Sequence, residues 1–237
     1  QADVTFAAGA DIITATAGTD NVRLGEGAGD SIASGGANNV TVGKNAGTAI
    51  TTGKKATLIG AEAGEALVDG DNNTAVGYQA LTSDTNGEKS VAIGTFALTA
   101  QNQSSLTDTH NTAVGYQAGT SVTTGTSNTF IGARNGDAVT TGVSNVAVGD
   151  EALGSETTAN RSVAVGVGAL LNQNVGGGTN AYNVAIGHAA GNQITTGVEN
   201  TIVGALAGDA LTTGEMTALG FRAGSSQTTA VGNVLVG

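Results

Sequence analysis

Asn73-Thr74-Ala75-Val76-Gly77-Tyr78-Gln79-Ala80-Leu81 returns almost unchanged as Asn111-Thr112-Ala113-Val114-Gly115-Tyr116-Gln117-Ala118-Gly119, and in altered form along most of the chain. Its glycine is a convenient anchor. Anchors fall at Gly25, Gly43, Gly60, Gly77, Gly94, Gly115, Gly132, Gly149, Gly166, Gly187, Gly204, Gly220 and Gly237, and most are 17 residues apart. A fixed period of this size is the mark of stacked structural repeats. The residue before each anchor is always Leu, Val or Ile, and the third before it is always Val or Thr. Alternate residues of a strand share a face, and β-branched side chains suit a pleated surface. The fold class is therefore all-β: a parallel β-solenoid, or β-roll, of about thirteen coils. Stacked at strand spacing, it is a rod of roughly 60 Å.

Three columns follow from the phase of this pattern. The two aliphatic or Thr positions are expected to point into the core. The residue between them then faces outward, and it is Ala75, Ala92, Ala113, Ala147, Ala164, Ala185 or Ala218 in seven coils. A row of small residues lets another surface approach closely, so these alanines are the candidates for packing between chains. Four residues before the anchor stand Asn21, Asn39, Asn73, Asn111, Asn128, Asn145, Asn183, Asn200 and Asn233, a structural asparagine ladder that also suits turn geometry.

Further positions co-vary. Where the fourth residue after the anchor is Gly, the seventh is aliphatic, as in Gly47 with Ile50, Gly64 with Leu67 and Gly191 with Ile194. Where it is Leu81, Leu98, Leu153 or Leu170, the seventh is Asp84, Gln101, Glu156 or Gln173. One large apolar side chain per coil, supplied from either place, is what a close-packed interior of fixed width requires. Gly224 with Gln227 breaks the rule. Residues 73–144 align with 145–216 without a gap, with 35 of 72 identical, so a four-coil unit is duplicated. Each copy carries one 21-residue coil, whose extra residues bulge near Ser104–His110 and Gly176–Tyr182. Loops on a rigid scaffold carry recognition, which makes Ser104, His110, Gly176 and Tyr182 the candidate receptor contacts.

The unbroken repeat makes 21–237 one domain. Residues 1–20 are less regular, with strand-like stretches at 4–7 and 12–15, and read as a cap, a degenerate coil or an assembly segment, since solenoid ends need capping. The last strand ends at the anchor Gly237, so the expectation is that the protein continues or that another subunit covers that end. The chain has 237 residues with 39 Gly, no Pro, no Cys and 3% aromatics, a thin aliphatic composition for a narrow coil. A net charge of −11 argues against a nucleic-acid partner. No apolar run is long enough to insert into a membrane.

The motif N-[TV]-A-[VI]-G-x-x-A resembles the head repeat of the YadA-like trimeric autotransporter adhesins. Its longer form is similar to repeats in phage tail fibres. The likeness covers about 21–237. It implies a left-handed β-roll, three chains around an axis, and a fibre or adhesion role at a cell surface or virion. The partners it implies are the chain itself, as a homotrimer, and a glycan or protein receptor. The coils here are longer than those of the adhesin heads. A secreted subunit that polymerises end to end into an extracellular filament is the alternative.

Chemistry-bearing patterns are sparse. Asp69-Gly70-Asp71-Asn72-Asn73 opens like a calcium loop, but Thr74 and Ala80 stand where Gly and Glu are needed. Gly53-Lys54-Lys55 lacks the spacing of a phosphate loop. His110 and His188, the two histidines, have no serine elbow nearby. Repeated Thr-Thr-Gly reads as a turn rather than an ice-binding ladder. Tyr78, Tyr116 and Phe221 follow their anchors; a sugar-binding aromatic row is one reading, and the expectation is that they cover apolar surface at a coil corner or between chains. The expectation is a protein that is not an enzyme, with no catalytic residues, no cofactor and no metal.

Overall fold

The computed structural model describes residues 17–237. The strand-like stretches at 4–7 and 12–15 lie outside the described residues. Thr19 bridges Ala37 in parallel, so the chain has already joined the stack there. Among the described residues there is no helix, and one 13-stranded parallel sheet runs the length of the solenoid. Its strands are β1 (Val22–Leu24), β2 (Val40–Val42), β3 (Thr57–Ile59), β4 (Thr74–Val76), β6 (Val91–Ile93), β8 (Thr112–Val114), β9 (Thr129–Ile131), β10 (Val146–Val148), β11 (Val163–Val165), β12 (Val184–Ile186), β13 (Thr201–Val203), β14 (Thr213–Leu219) and β15 (Thr229–Val236). A two-stranded sheet joins β5 (Gly87–Glu88) to β7 (Thr107–Asp108) at the first long loop. Pairing keeps repeat register, as in Val146↔Val163, Ala147↔Ala164 and Val148↔Val165.

Register of this kind demands the anchor glycine. Gly77 has φ 134°, a conformation side chains rarely adopt, and a Cβ there would lie 2.6 Å from the carbonyl oxygen of Gly94 in the next coil. Each coil rests its anchor directly on the next anchor, so the corner is fixed by the absence of a side chain.

The period-two reading of the strand holds, but its phase is reversed. Ala75, Ala92, Ala113, Ala147, Ala164, Ala185 and Ala218 are 0–1% exposed within the single chain. They line the interior and are not available to a neighbouring chain. The flanking Val, Ile and Thr rows face outward. The reason is width. The same face carries the asparagines two residues earlier, buried Ala28, Ala46 and Ala63 lie three residues after their anchors, and little room remains.

The larger residues share that room in rotation. Leu58, Phe130 and Ile202 replace the strand alanine and are fully buried. Their neighbours give way: a Cβ on Gly64 would meet Leu58 at 2.8 Å, and one on Gly136 would meet the Phe130 ring at 2.4 Å. Leu81, Leu98, Leu153 and Leu170 are fully buried in coils whose strand residue is Ala, although they take the left-handed backbone that Gly has elsewhere (φ 49–57°). The exception at Gly224 is filled by Met216 from the asparagine column, whose sulfur lies 2.9 Å from a Cβ built there.

Candidate functional site

The asparagine ladder is present and does two jobs per rung. In the rungs from Asn21 to Asn200 the Oδ1 accepts from the backbone N–H of the next coil, as Asn111 from Asn128 (2.9 Å) and Asn128 from Asn145 (3.0 Å). Each Nδ2 donates to a carbonyl one turn on, as Asn128 to Gly142 (2.9 Å) and Asn183 to Gly197 (2.7 Å). The rung thus holds both the strand and the Thr-Thr-Gly corner of the following coil. Asn21 and Asn39 through Asn200 are buried, while Asn233 is half-buried opposite Met216.

The ladder changes composition at Ser90 and Ser162, in the coil before each long loop. There the interior holds a polar cluster that the sequence reading missed. Asp84 Oδ1 accepts from the backbone N–H of Gly87 (3.0 Å) and Gln103 (3.2 Å), and its Oδ2 accepts from Gln101 Nε2 (2.5 Å). Gln101 also donates to Ser90 Oγ (2.8 Å) and accepts from Asn111 Nδ2 (2.8 Å). The duplicate repeats the plan. Glu156 Oε1 accepts from the N–H groups of Thr157, Thr158 and Ala159 (2.7–3.0 Å), and Oε2 from Gln173 Nε2 and Val175 N–H. Gln173 donates to Ser162 and accepts from Asn183. Asp84, Gln101, Glu156 and Gln173 are all fully buried. A buried carboxylate is tolerated because N–H donors surround it. The signal was in the sequence: apart from Gln227, the seventh residue after the anchor is polar only in the Leu-type coils, which come as one pair at each long loop.

These clusters plant the loops. Gln103 and Val175, whose N–H groups reach the carboxylates, are the last residues before each excursion. Residues 104–108 and 176–180 stand where ordinary coils have a single glycine such as Gly125 or Gly197. The two loops lie four coils, about 19 Å, apart along the rod. Ser104 is exposed in the first loop and Gly176 half-buried at the root of the second. His110 and Tyr182 are exposed too, but at a left-handed corner (φ 50° and 51°) that every coil but that of Glu215 has, where the loop rejoins the stack. The first loop carries charge: Lys89 bonds Asp108 (2.5 Å), which lowers the Asp108 carboxyl and raises Lys89. Burial, then a hydrogen bond with Asp108, pushes Glu88 up. At the aligned place in the second loop Arg161 donates to the Tyr182 hydroxyl (2.7 Å) and lies 5.7 Å from its ring centre.

The other patterns resolve into stacking contacts. Asp69 accepts from the hydroxyls of Thr51 (2.7 Å) and Thr52 (2.6 Å), Asp71 from the N–H of Lys54 (2.7 Å), and Asn73 donates to Gly87 (2.7 Å). Gly53 accepts from Asn39. His110 and His188 occupy different columns. Threonine hydroxyls such as Thr140 and Thr212 donate to the next coil's carbonyls, so they are spent within the stack.

The remaining candidate surface is the outer sheet face. Two rows run its whole length: Leu24, Val42, Ile59, Val76, Ile93, Val114, Ile131, Val148, Val165, Ile186, Val203, Leu219 and Val236 in one, and thirteen Val or Thr in the other. None is charged. Ile93 is 38% exposed and Ile131 41%.

No protein-family model, no curated protein and no solved structure matches the chain. The fold defines a β-solenoid repeat protein, an architecture consistent with a structural module.

Proposed function

We infer that this chain is a stiff, non-enzymatic fibre module that assembles side by side with copies of itself, as a homotrimer of a phage or virus appendage or a bacterial surface adhesin. It would stand at a cell surface or on a virion, and set distance and present its two anchored loops to a receptor. The observation that carries this reading is the uncharged outer face. A stripe about 60 Å long and 10 Å wide offers on the order of 600 Å². An uncharged patch of this size lies at the upper end of what monomers expose, and stable interfaces bury about 800 Å² per partner. Only a partner as long and as straight as this rod matches it along its length, and a second copy has that shape.

The test is the mass of the purified chain by light scattering, with Ile93→Glu/Ile131→Glu alongside. Three chains are expected for the native protein and one for the variant. Both substitutions leave the interior untouched, so the variant should keep the native far-UV spectrum. A native monomer would sink the reading, and rods of indefinite mass would favour the end-to-end filament.

A further inference from the structure

Three aromatic side chains form a row on the corner that follows the sheet. Tyr78 and Tyr116 come directly after their anchors, and Phe96 lies between them in the intervening coil. The ring centres of Tyr78 and Phe96 are 5.4 Å apart and those of Phe96 and Tyr116 6.3 Å, both edge-to-face. Tyr78 is 44% exposed and Tyr116 49%. The row is symmetric about Phe96, with Gln79 beside one tyrosine and Gln117 beside the other. Gln79 also bonds Glu62 (2.6 Å), which continues the polar rim.

The coil itself does not need this row. The aligned residues of the duplicated unit are Asp150, Gly168 and His188, and that unit folds to the same strands and register with no Phe or Tyr at these three places. Sister-chain packing does not account for it either, since the uncharged face runs past both units alike while the rings serve only one. The row therefore answers to something outside the stack that touches three coils.

We propose that Tyr78, Phe96 and Tyr116 form a docking row for a neutral oligosaccharide. Pyranose rings have apolar C–H faces ringed by hydroxyls, and they need aromatic surface flanked by planar amides and phenols. The coils step by about 4.8 Å, so an extended glycan laid along the rod can set successive sugars against successive coils. The net charge of −11 selects against polyanionic chains. This inference goes beyond the fibre reading and stands whether the rod is single or trimeric.

The chain has no Trp, and Tyr78 and Tyr116 are two of its three tyrosines, which makes tyrosine emission the readout. The native protein would be titrated with cellohexaose, chitohexaose and maltohexaose. A saturable change is expected with at least one of them. Tyr182→Phe should retain it. Tyr78→Asp/Tyr116→His, which installs residues the duplicated unit already carries but removes both reporter tyrosines, would be titrated by calorimetry beside the native protein and should weaken binding by about tenfold or more, with light-scattering mass and far-UV spectrum unchanged. No saturable change with any of the three probes overturns the proposal. So does a drop in assembly mass in the double variant with glycan binding intact, which would give the row to the sister chain.

Discussion

At the residue scale, the corner glycines bear the constraint. Gly77 combines φ 134° with a backbone neighbour from the next coil. Ala there meets a backbone strain of about 1–3 kcal/mol and a clash that only separation of two coils relieves. Gly77→Ala is expected to cost about 3 kcal/mol or more, read as a lowered urea midpoint. Gly168→Asn is the control. Its φ of 64° is one Asn tolerates, nothing lies within 4 Å of a Cβ there, and Gln79 and Glu151 occupy its column in other coils at φ 53° and 57°. It should change stability little. Asp69 gives a pH signature. The hydroxyl of Thr52, then that of Thr51, holds its carboxyl below the ordinary 3.8. A carboxylate with a depressed folded pKa contributes stability that is present above the unfolded value and lost as pH falls through the folded one. Asp69→Asn should therefore be less stable than the native chain at neutral pH. The gap should close as pH drops below 3.8, and a gap independent of pH would show that the threonine contacts act through shape alone.

At the scale of the coil, volume is conserved between columns rather than at positions. Phe130→Ala should cost about 3–5 kcal/mol by opening a cavity. Gly136→Leu alone should also destabilise, because its Cβ would enter the Phe130 ring. Together they should lose less than Phe130→Ala does, since Leu153 fills the same column one coil on beside Ala147. Thermal melts of the three variants check this change of sign. The same exchange shows what was legible in sequence. The coil period, the parallel register, the rotation of Gly with Leu and the duplicated unit all follow from spacing, because each coil must repeat its neighbour's corners. The phase of the strand did not follow. Val76 and Ala75 both suit a strand, and bulk alone pointed Val76 inward. Asn73 held the answer, since it shares a face with Ala75, and a ladder satisfying backbone N–H groups of the next coil has to be inside. Asp84 and Glu156 were hidden for the opposite reason. An acidic residue in a repeat reads as surface until Gln101, Gln173 and the loop-root N–H groups are seen converging on it.

At the scale of the whole molecule, charge and shape pull in different directions. A trimer gathers three chains of net charge −11 around one axis, so like-charge repulsion opposes assembly at long range. The face proposed to bring them together carries no charge, so salt has no ion pairs to weaken there. Added salt shortens the screening length from about 10 Å at 0.1 M to about 3 Å at 1 M. It should therefore strengthen the assembly, and the concentration at which the trimer dissociates should fall as ionic strength rises. Sedimentation at two salt concentrations measures this directly. An interface built from charged corners, such as Lys89 with Asp108 or Arg134 with Asp150 and Glu151, would respond the other way, because those exposed pairs are screened. A trimer that falls apart in high salt would therefore move the contact off the sheet face and onto the corners, even with the mass of three chains confirmed.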